Sequence, residues 1–283
     1  MDKSKLERLI LVLAEQQRFR PEIVEKDYYL TVVLNSIAKL SQNLVFKGGT
    51  LLNKIHLNYH RLSEDLDFSY FGGEDLNTRP KRSKAIASIK EKMPDFLAHL
   101  DLESDQPRGA GFNESLQYVF NAFYPSFITG KDENIKIEIS LRQRPMDQPV
   151  YNVINHFFQD PFTGEDLISR NKIWSLSFDE AVAEKLKCAI SRRDIAIRDF
   201  YDLWHIAKTK FDFHGEHFLF LFMKKLETEG YKGNFRNNFG LDDKAIDMLK
   251  AQVETDLIPV IRSGELFNLG KVFALFNRIL KKI

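Results

Sequence analysis

Two aspartates, Asp65 and Asp67, stand two residues apart in the run Ser63-Glu64-Asp65-Leu66-Asp67-Phe68. Acid and apolar residues alternate there, which predicts a half-buried strand with Ser63, Asp65 and Asp67 on one face. Paired carboxylates suit a hard divalent ion such as Mg²⁺, which takes one or two of them and keeps positions for substrate phosphates. Upstream lies Leu44-Val45-Phe46-Lys47-Gly48-Gly49-Thr50. Its apolar run reads as a buried strand, and a helix-like segment is expected from Thr50 to about Tyr59. A glycine pair between strand and helix lets a ligand come close to the backbone. A helix start offers N–H groups and a positive dipole end to a phosphate. A phosphate cradle beside metal-binding acids is the minimum needed for phosphoryl or nucleotidyl transfer. Taken singly, Gly-Gly says little, and Asp-x-Asp fits a solvated strand end equally well. The signal lies in the two together, each on the right element.

These residues resemble the signature of the nucleotidyltransferase superfamily. In detail they are similar to the AbiEii/AbiGii toxin family, whose members carry a Lys-Gly-Gly-Thr turn and a Ser-Glu-Asp-hydrophobic-Asp strand. Three further strings resemble that family's motifs: Glu25-Lys26-Asp27-Tyr28, Ala183-Glu184-Lys185-Leu186, and Arg198-Asp199-Phe200-Tyr201-Asp202-Leu203. They follow in the family's order, and the likeness spans Glu25 to Leu203.

The elements that must position these residues are legible in part. Helices are expected over 4–17 and 21–40, the second opened by Pro21 at a first helical turn. Residues 79–92 form a basic amphipathic helix, which reads either as an ordinary solvated face or as a contact for RNA phosphates. Residues 115–128 and 134–142 are expected as two strands. In the second, Ile135, Ile137 and Ile139 alternate with Lys136, Glu138 and Ser140, so Glu138 points away from the isoleucines. It is the candidate third carboxylate, or else a polar residue on a solvated sheet face. Pro145 and Pro149 mark a boundary, which divides the chain into a 1–148 core and a mostly helical 149–283 half. The expected class is therefore α+β, a mixed sheet followed by helices.

Ser177-Phe178-Asp179-Glu180 is a capping box for the next helix. Lys185 and Lys187 flank its buried stripe on opposite sides, and periodicity does not choose between them. In the helix after it, Arg198 and Asp202 sit at the spacing of a plain helical ion pair. The other reading joins Asp199 and Asp202 to Lys185 in a polar cluster.

Composition bounds the rest. The chain has 283 residues with 43% hydrophobic and 29% charged content, as in a globular protein with ample core. Net charge is +1, so any nucleic-acid surface is a local patch. Cys188 is the only cysteine, which excludes an internal disulfide and fits a reducing cytoplasm. No run spans a membrane, and the N-terminal segment does not fit a signal peptide. No zinc spacing and no Gly-x-Ser-x-Gly elbow is present. The 24 phenylalanines speak of core packing.

Family likeness implies a DNA polymerase β-like core and a toxin of a bacterial toxin–antitoxin or abortive-infection system, of the type IV class. The implied reaction moves a nucleoside monophosphate from an NTP to an acceptor hydroxyl, with RNA, and tRNA in particular, as the expected acceptor. A cognate antitoxin is the expected protein partner. On this reading Gly48, Gly49, Thr50 and Ser63 meet the nucleotide, and Lys47 and Lys185 counter triphosphate charge. Asp65 and Asp67, with Glu138, hold Mg²⁺, and Asp199 and Asp202 shape the site. Two alternatives stand beside it: a small-molecule nucleotidyltransferase, and a nucleotide- or partner-binding module without turnover.

Overall fold

The computed structural model describes residues 3–73, 75–104 and 110–283. They divide into a first compact unit ending at Leu176 and a second of Ser177–Ile283. The first unit therefore extends past the expected boundary near 148. The reason is hydrogen bonding: two short strands beyond Pro149 join the sheet and are held by it.

In the first unit, helices α1 (Lys3–Gln17) and α2 (Pro21–Leu40) precede strand β1 (Leu44–Lys47) and a short helix α3 (Gly48–Leu51). A single π-turn, Leu52–His56, continues α3. There follow β2 (Asp65–Tyr70), α4 (Arg79–Ala98), β3 (Glu103–Ser104), β4 (Ala110–Phe112), β5 (Gln117–Pro125), β6 (Asp132–Ser140), β7 (Val150–Val153) and β8 (Lys172–Ser175). The strands make one eight-stranded mixed sheet in the order β3-β5-β6-β2-β1-β8-β7, with β4 paired to β5.

Register decides which residues share a face. β1 runs antiparallel to β2 with Lys47 opposite Asp67, and β2 runs parallel to β6 with Asp67 opposite Glu138 and Asp65 opposite Lys136. Opposed residues project to the same side of a sheet. Lys47, Asp65, Asp67, Lys136 and Glu138 therefore stand on one face. Phe46, Phe68, Ile137 and Ile139 occupy the other face and are fully buried. That apolar face, with the buried side of α2, makes the core: Val24, Leu30, Val33 and Ile37 of α2 are almost wholly enclosed.

The second unit is helical: α5 (Phe178–Ser191), α6 (Ile197–Lys208), α7 (Glu216–Thr228), α8 (Asp243–Gln252) and α9 (Leu269–Leu280). The Ser177 hydroxyl accepts from the Glu180 N–H at 3.1 Å, closing the α5 cap that the sequence implies. Aromatic rings fill its interior, Phe200 against Phe239 and Phe273, and Phe213 against Phe218 and Phe276. This is where much of the phenylalanine goes.

Candidate active site

The glycine turn and the carboxylate strand are folded directly onto one another. Gly48 has φ +80°, a left-handed conformation that favours glycine, and a Cβ added there would lie 2.9 Å from Asp67 Cγ, overlapping the carboxylate. A Cβ on Gly49 would fall 2.6 Å from Arg61 Nη2 and 3.5 Å from Ser63 Oγ. Gly48 is thus favoured by both conformation and contact, and the turn lies between an acid and a guanidinium.

Thr50 takes a different part from the one expected. It is fully buried, and its hydroxyl donates to the Asp65 carbonyl oxygen. Its side chain ties the turn to the start of β2, and so positions the acids. The helix is also shorter than the expected Thr50–Tyr59. It begins at Gly48 and passes after one turn into the π-turn, so its dipole is small. Ser63 lies before the strand, which starts at Asp65, and is buried close to Gly49.

The acids are crowded. Asp67 is half-buried, and burial, with Glu138 and Asp65 beside it, pushes its carboxyl up to about 6 against the pull of Lys47 and Lys136. The Lys136 ammonium lies 3.6 Å from an Asp65 oxygen and 3.6 Å from a Glu138 oxygen. These carboxylates carry more negative charge than the two lysines relieve, and one or two of them are the hard oxygen donors that Mg²⁺ takes. Among the described residues no three acids are gathered so as to hold a metal ion between them, and magnesium, which keeps several waters, asks for fewer.

Behind the turn lies a polar network that sequence reasoning missed. Lys54, in the π-turn, is wholly enclosed. Its ammonium donates to Asp27 at 2.9 Å, to the Thr31 hydroxyl at 2.8 Å and to the Tyr59 hydroxyl at 2.9 Å. Burial pushes the Asp27 carboxyl up and the Lys54 ammonium down, and their mutual attraction opposes both shifts. Asp27 therefore anchors the turn to α2 and does not face a ligand. Glu25 is equally buried and accepts from the Ser126 hydroxyl and, at 2.8 Å, from the Phe127 N–H, which fixes the β5–β6 turn. Lys26 of that motif lies 3.9 Å from Glu64. The spacing of Lys54 after Gly-Gly-Thr was a usable signal, because a lysine on the inner side of a helix needs a buried acid. Arg61, two residues before Ser63, was another. It is buried, and its guanidinium donates to the Leu62 carbonyl at 2.8 Å.

The second unit separates the two candidate lysines. Lys185 lies 2.7 Å from Asp199 and 2.9 Å from Asp202, both buried. Lys187 pairs with Glu229 at 3.0 Å near the surface. Asp199 and Asp202 thus both turn to Lys185, and Asp202, expected farther round the helix, is the more enclosed of the two.

A mixed sheet whose glycine turn is pressed against paired carboxylates is the arrangement that the sequence motifs imply. A family model described as "Nucleotidyl transferase AbiEii toxin, Type IV TA system" matches residues 32–264, and the chain belongs to that family. Its fold is similar to that of MenT4, a nucleotidyltransferase toxin from Mycobacterium tuberculosis H37Rv. The two share 20% identity at a TM-score of 0.64, over 98% of this chain and 90% of that one. JHP933 from Helicobacter pylori aligns at a TM-score of 0.49 and 17% identity, over 93% of this chain and 92% of that one. Among curated protein sequences there is no significant match.

Proposed function

We propose that this protein transfers a nucleoside monophosphate from an NTP to a hydroxyl of RNA, with tRNA the foremost candidate. The observation that carries the reading is the contact of Gly48 with the Asp67 carboxylate, which sets the glycine turn directly against acids that share one sheet face. In the reaction the acceptor oxygen bonds to the α-phosphorus, the bond to the bridging oxygen of pyrophosphate breaks, and the hydroxyl proton leaves to base or solvent. Gly48 and Gly49 admit the phosphates, and Lys47 and Arg61 supply positive charge to them. One or two of Asp65, Asp67 and Glu138 would hold Mg²⁺. When bound, that ion supplies charge neutralisation and acidifies the attacking hydroxyl. In the second unit Lys185, Asp199 and Asp202 form a largely buried charged cluster of their own.

RNA is favoured over a small acceptor by a groove of about 800 Å³ beside α4. It is lined by Lys39, Lys81, Lys84 and Lys92, with Asp75 as its acid. Such a basic cleft suits a polyanion. Asp75 is already paired to Lys81 at 2.9 Å. The family description names a type IV toxin, so a cognate antitoxin is the proposed protein partner and the cytoplasm the proposed compartment. Among the described residues no helix is long and apolar enough to cross a membrane.

The test is incubation with each α-labelled NTP, Mg²⁺ and total RNA. Label on RNA is the expected result. Label on a small molecule overturns the RNA assignment, and tight NTP binding without transfer overturns the enzymatic one.

A further inference from the structure

The carboxylate face of the sheet continues past β1 onto β8 and β7, and there it carries two exposed aromatic rings. β1 pairs in parallel with β8, Phe46 opposite Ser175, so Trp174 shares the face of Val45 and Lys47. β7 pairs antiparallel with β8, Tyr151 opposite Trp174, so Tyr151 shares it too. The rings meet with centroids 4.9 Å apart and planes tilted by 41°. Tyr151 is 52% and Trp174 41% exposed, while Ile173 and Ser175, which point the other way, are buried. At ordinary strand spacing and rise, Trp174 and Asp67 are roughly 12 Å apart between Cα atoms. Lys172, exposed, lies two residues before Trp174 and so on the same face.

Folding does not account for this pair, since a sheet edge is safer with polar residues than with half-bare rings. Large flat side chains beside a lysine, on the face that bears the acids, match the chemistry of single-stranded nucleic acid. Bases stack on aromatic rings while a cation meets the backbone. The platform is open to solvent and at the sheet edge, which suits a polymer end arriving from outside more than a base enclosed in a pocket. We propose that Tyr151 and Trp174 form a stacking platform for an unpaired base of the acceptor RNA. This inference rests on the transferase reading above and adds to it the part of the acceptor that is recognised.

The experiment uses the full chain carrying Trp204→Phe, which leaves Trp174 as the only tryptophan. A short single-stranded oligoribonucleotide is the probe. Its binding is expected to quench Trp174 fluorescence, and Tyr151→Ala with Trp174→Ala should weaken it about tenfold or more by anisotropy. In turnover the same pair of changes should raise KM for RNA with KM for NTP unchanged, and Tyr151→Phe with Trp174→Phe should restore it. Because both rings are exposed, the melting temperature should stay within a few degrees and serve as the folding control. Affinity within twofold of wild type, or absence of quenching, overturns the proposal. So does a rise in KM for NTP alone, which would put the incoming nucleotide's base on the rings. Loss of self-association in the double alanine variant, without any RNA effect, would assign the patch to protein contact instead. If no RNA is labelled by wild type while Trp174 is still quenched, the transferase reading fails and the platform stands.

Discussion

Asp67 is the residue on which stability and activity pull in opposite directions. Its carboxyl is pushed up to about 6 in the fold, from 3.8. The fold therefore favours its protonated form. That contribution is fully present below the unfolded value and is lost as pH rises through about 6. Allowing for its partial exposure, the loss is about 1–2 kcal/mol above pH 7. Asp67→Asn should accordingly melt higher than wild type at pH 7.5 and near wild type at pH 4, while losing transfer by at least about 100-fold. Thermal melts at the two pH values, with turnover at the higher one, check both halves. Gly48 is the second test at this scale. Gly48→Ala meets both a left-handed φ and the Asp67 carboxylate, so it should cost about 1–3 kcal/mol and abolish transfer, measured by urea unfolding and turnover. At this scale the sequence was informative about Asp65, Asp67 and the glycines, because alternation and a strand-to-turn junction are local patterns. It was less so about Thr50 and Ser63. Their side chains turn inward through packing between α3 and β2, which no local pattern encodes.

The turn is held as an element by the Lys54 network. Removing one partner of a fully buried pair leaves the other charged and without compensation, whereas removing both does not. Lys54→Met should cost about 3–5 kcal/mol, and Lys54→Met with Asp27→Leu should recover most of it. Denaturant unfolding of the single and double variants gives the coupling directly. Equal losses in the single and the double variant would show that the pair is not coupled. The motif Glu25-Lys26-Asp27-Tyr28 could be recognised as a string, but its part in the fold was not readable. Glu25 meets Ser126 and Phe127, and Asp27 meets Lys54, through contacts far apart in sequence. β7 and β8 were missed for a related reason. Each has four residues, too few to show a period, and they become strands only by pairing with each other and with β1. Long periodic elements fared better: α2 spans Pro21–Leu40 as its proline and apolar spacing imply.

For the whole molecule, the α+β class was readable, a mixed sheet with helices, while the first compact unit runs on to Leu176. The prolines near 148 break local structure but not the sheet, which continues to Ser175. Acid should unfold the chain through His56. Burial holds its imidazole down to about 4, against the Leu176 backbone contact that raises it. The neutral form is favoured, so its contribution is complete above pH 6.5 and is lost as pH falls toward 4, by up to about 3 kcal/mol. His56→Gln should flatten the wild-type loss of stability over that window, measured by melts from pH 7 to pH 4. A loss of equal slope in both proteins would place the acid sensitivity elsewhere. The most direct test of the central claim compares single-turnover transfer of an α-labelled nucleotide to RNA by wild type and by Asp65→Asn, in matched Mg²⁺. Asp65→Asn keeps shape and removes only the charge at a position that is partly exposed, so folding should hold. A rate at least about 100-fold lower, with NTP binding to the Gly48–Gly49 turn retained, is the predicted result. Transfer by Asp65→Asn at the wild-type rate would contradict the account.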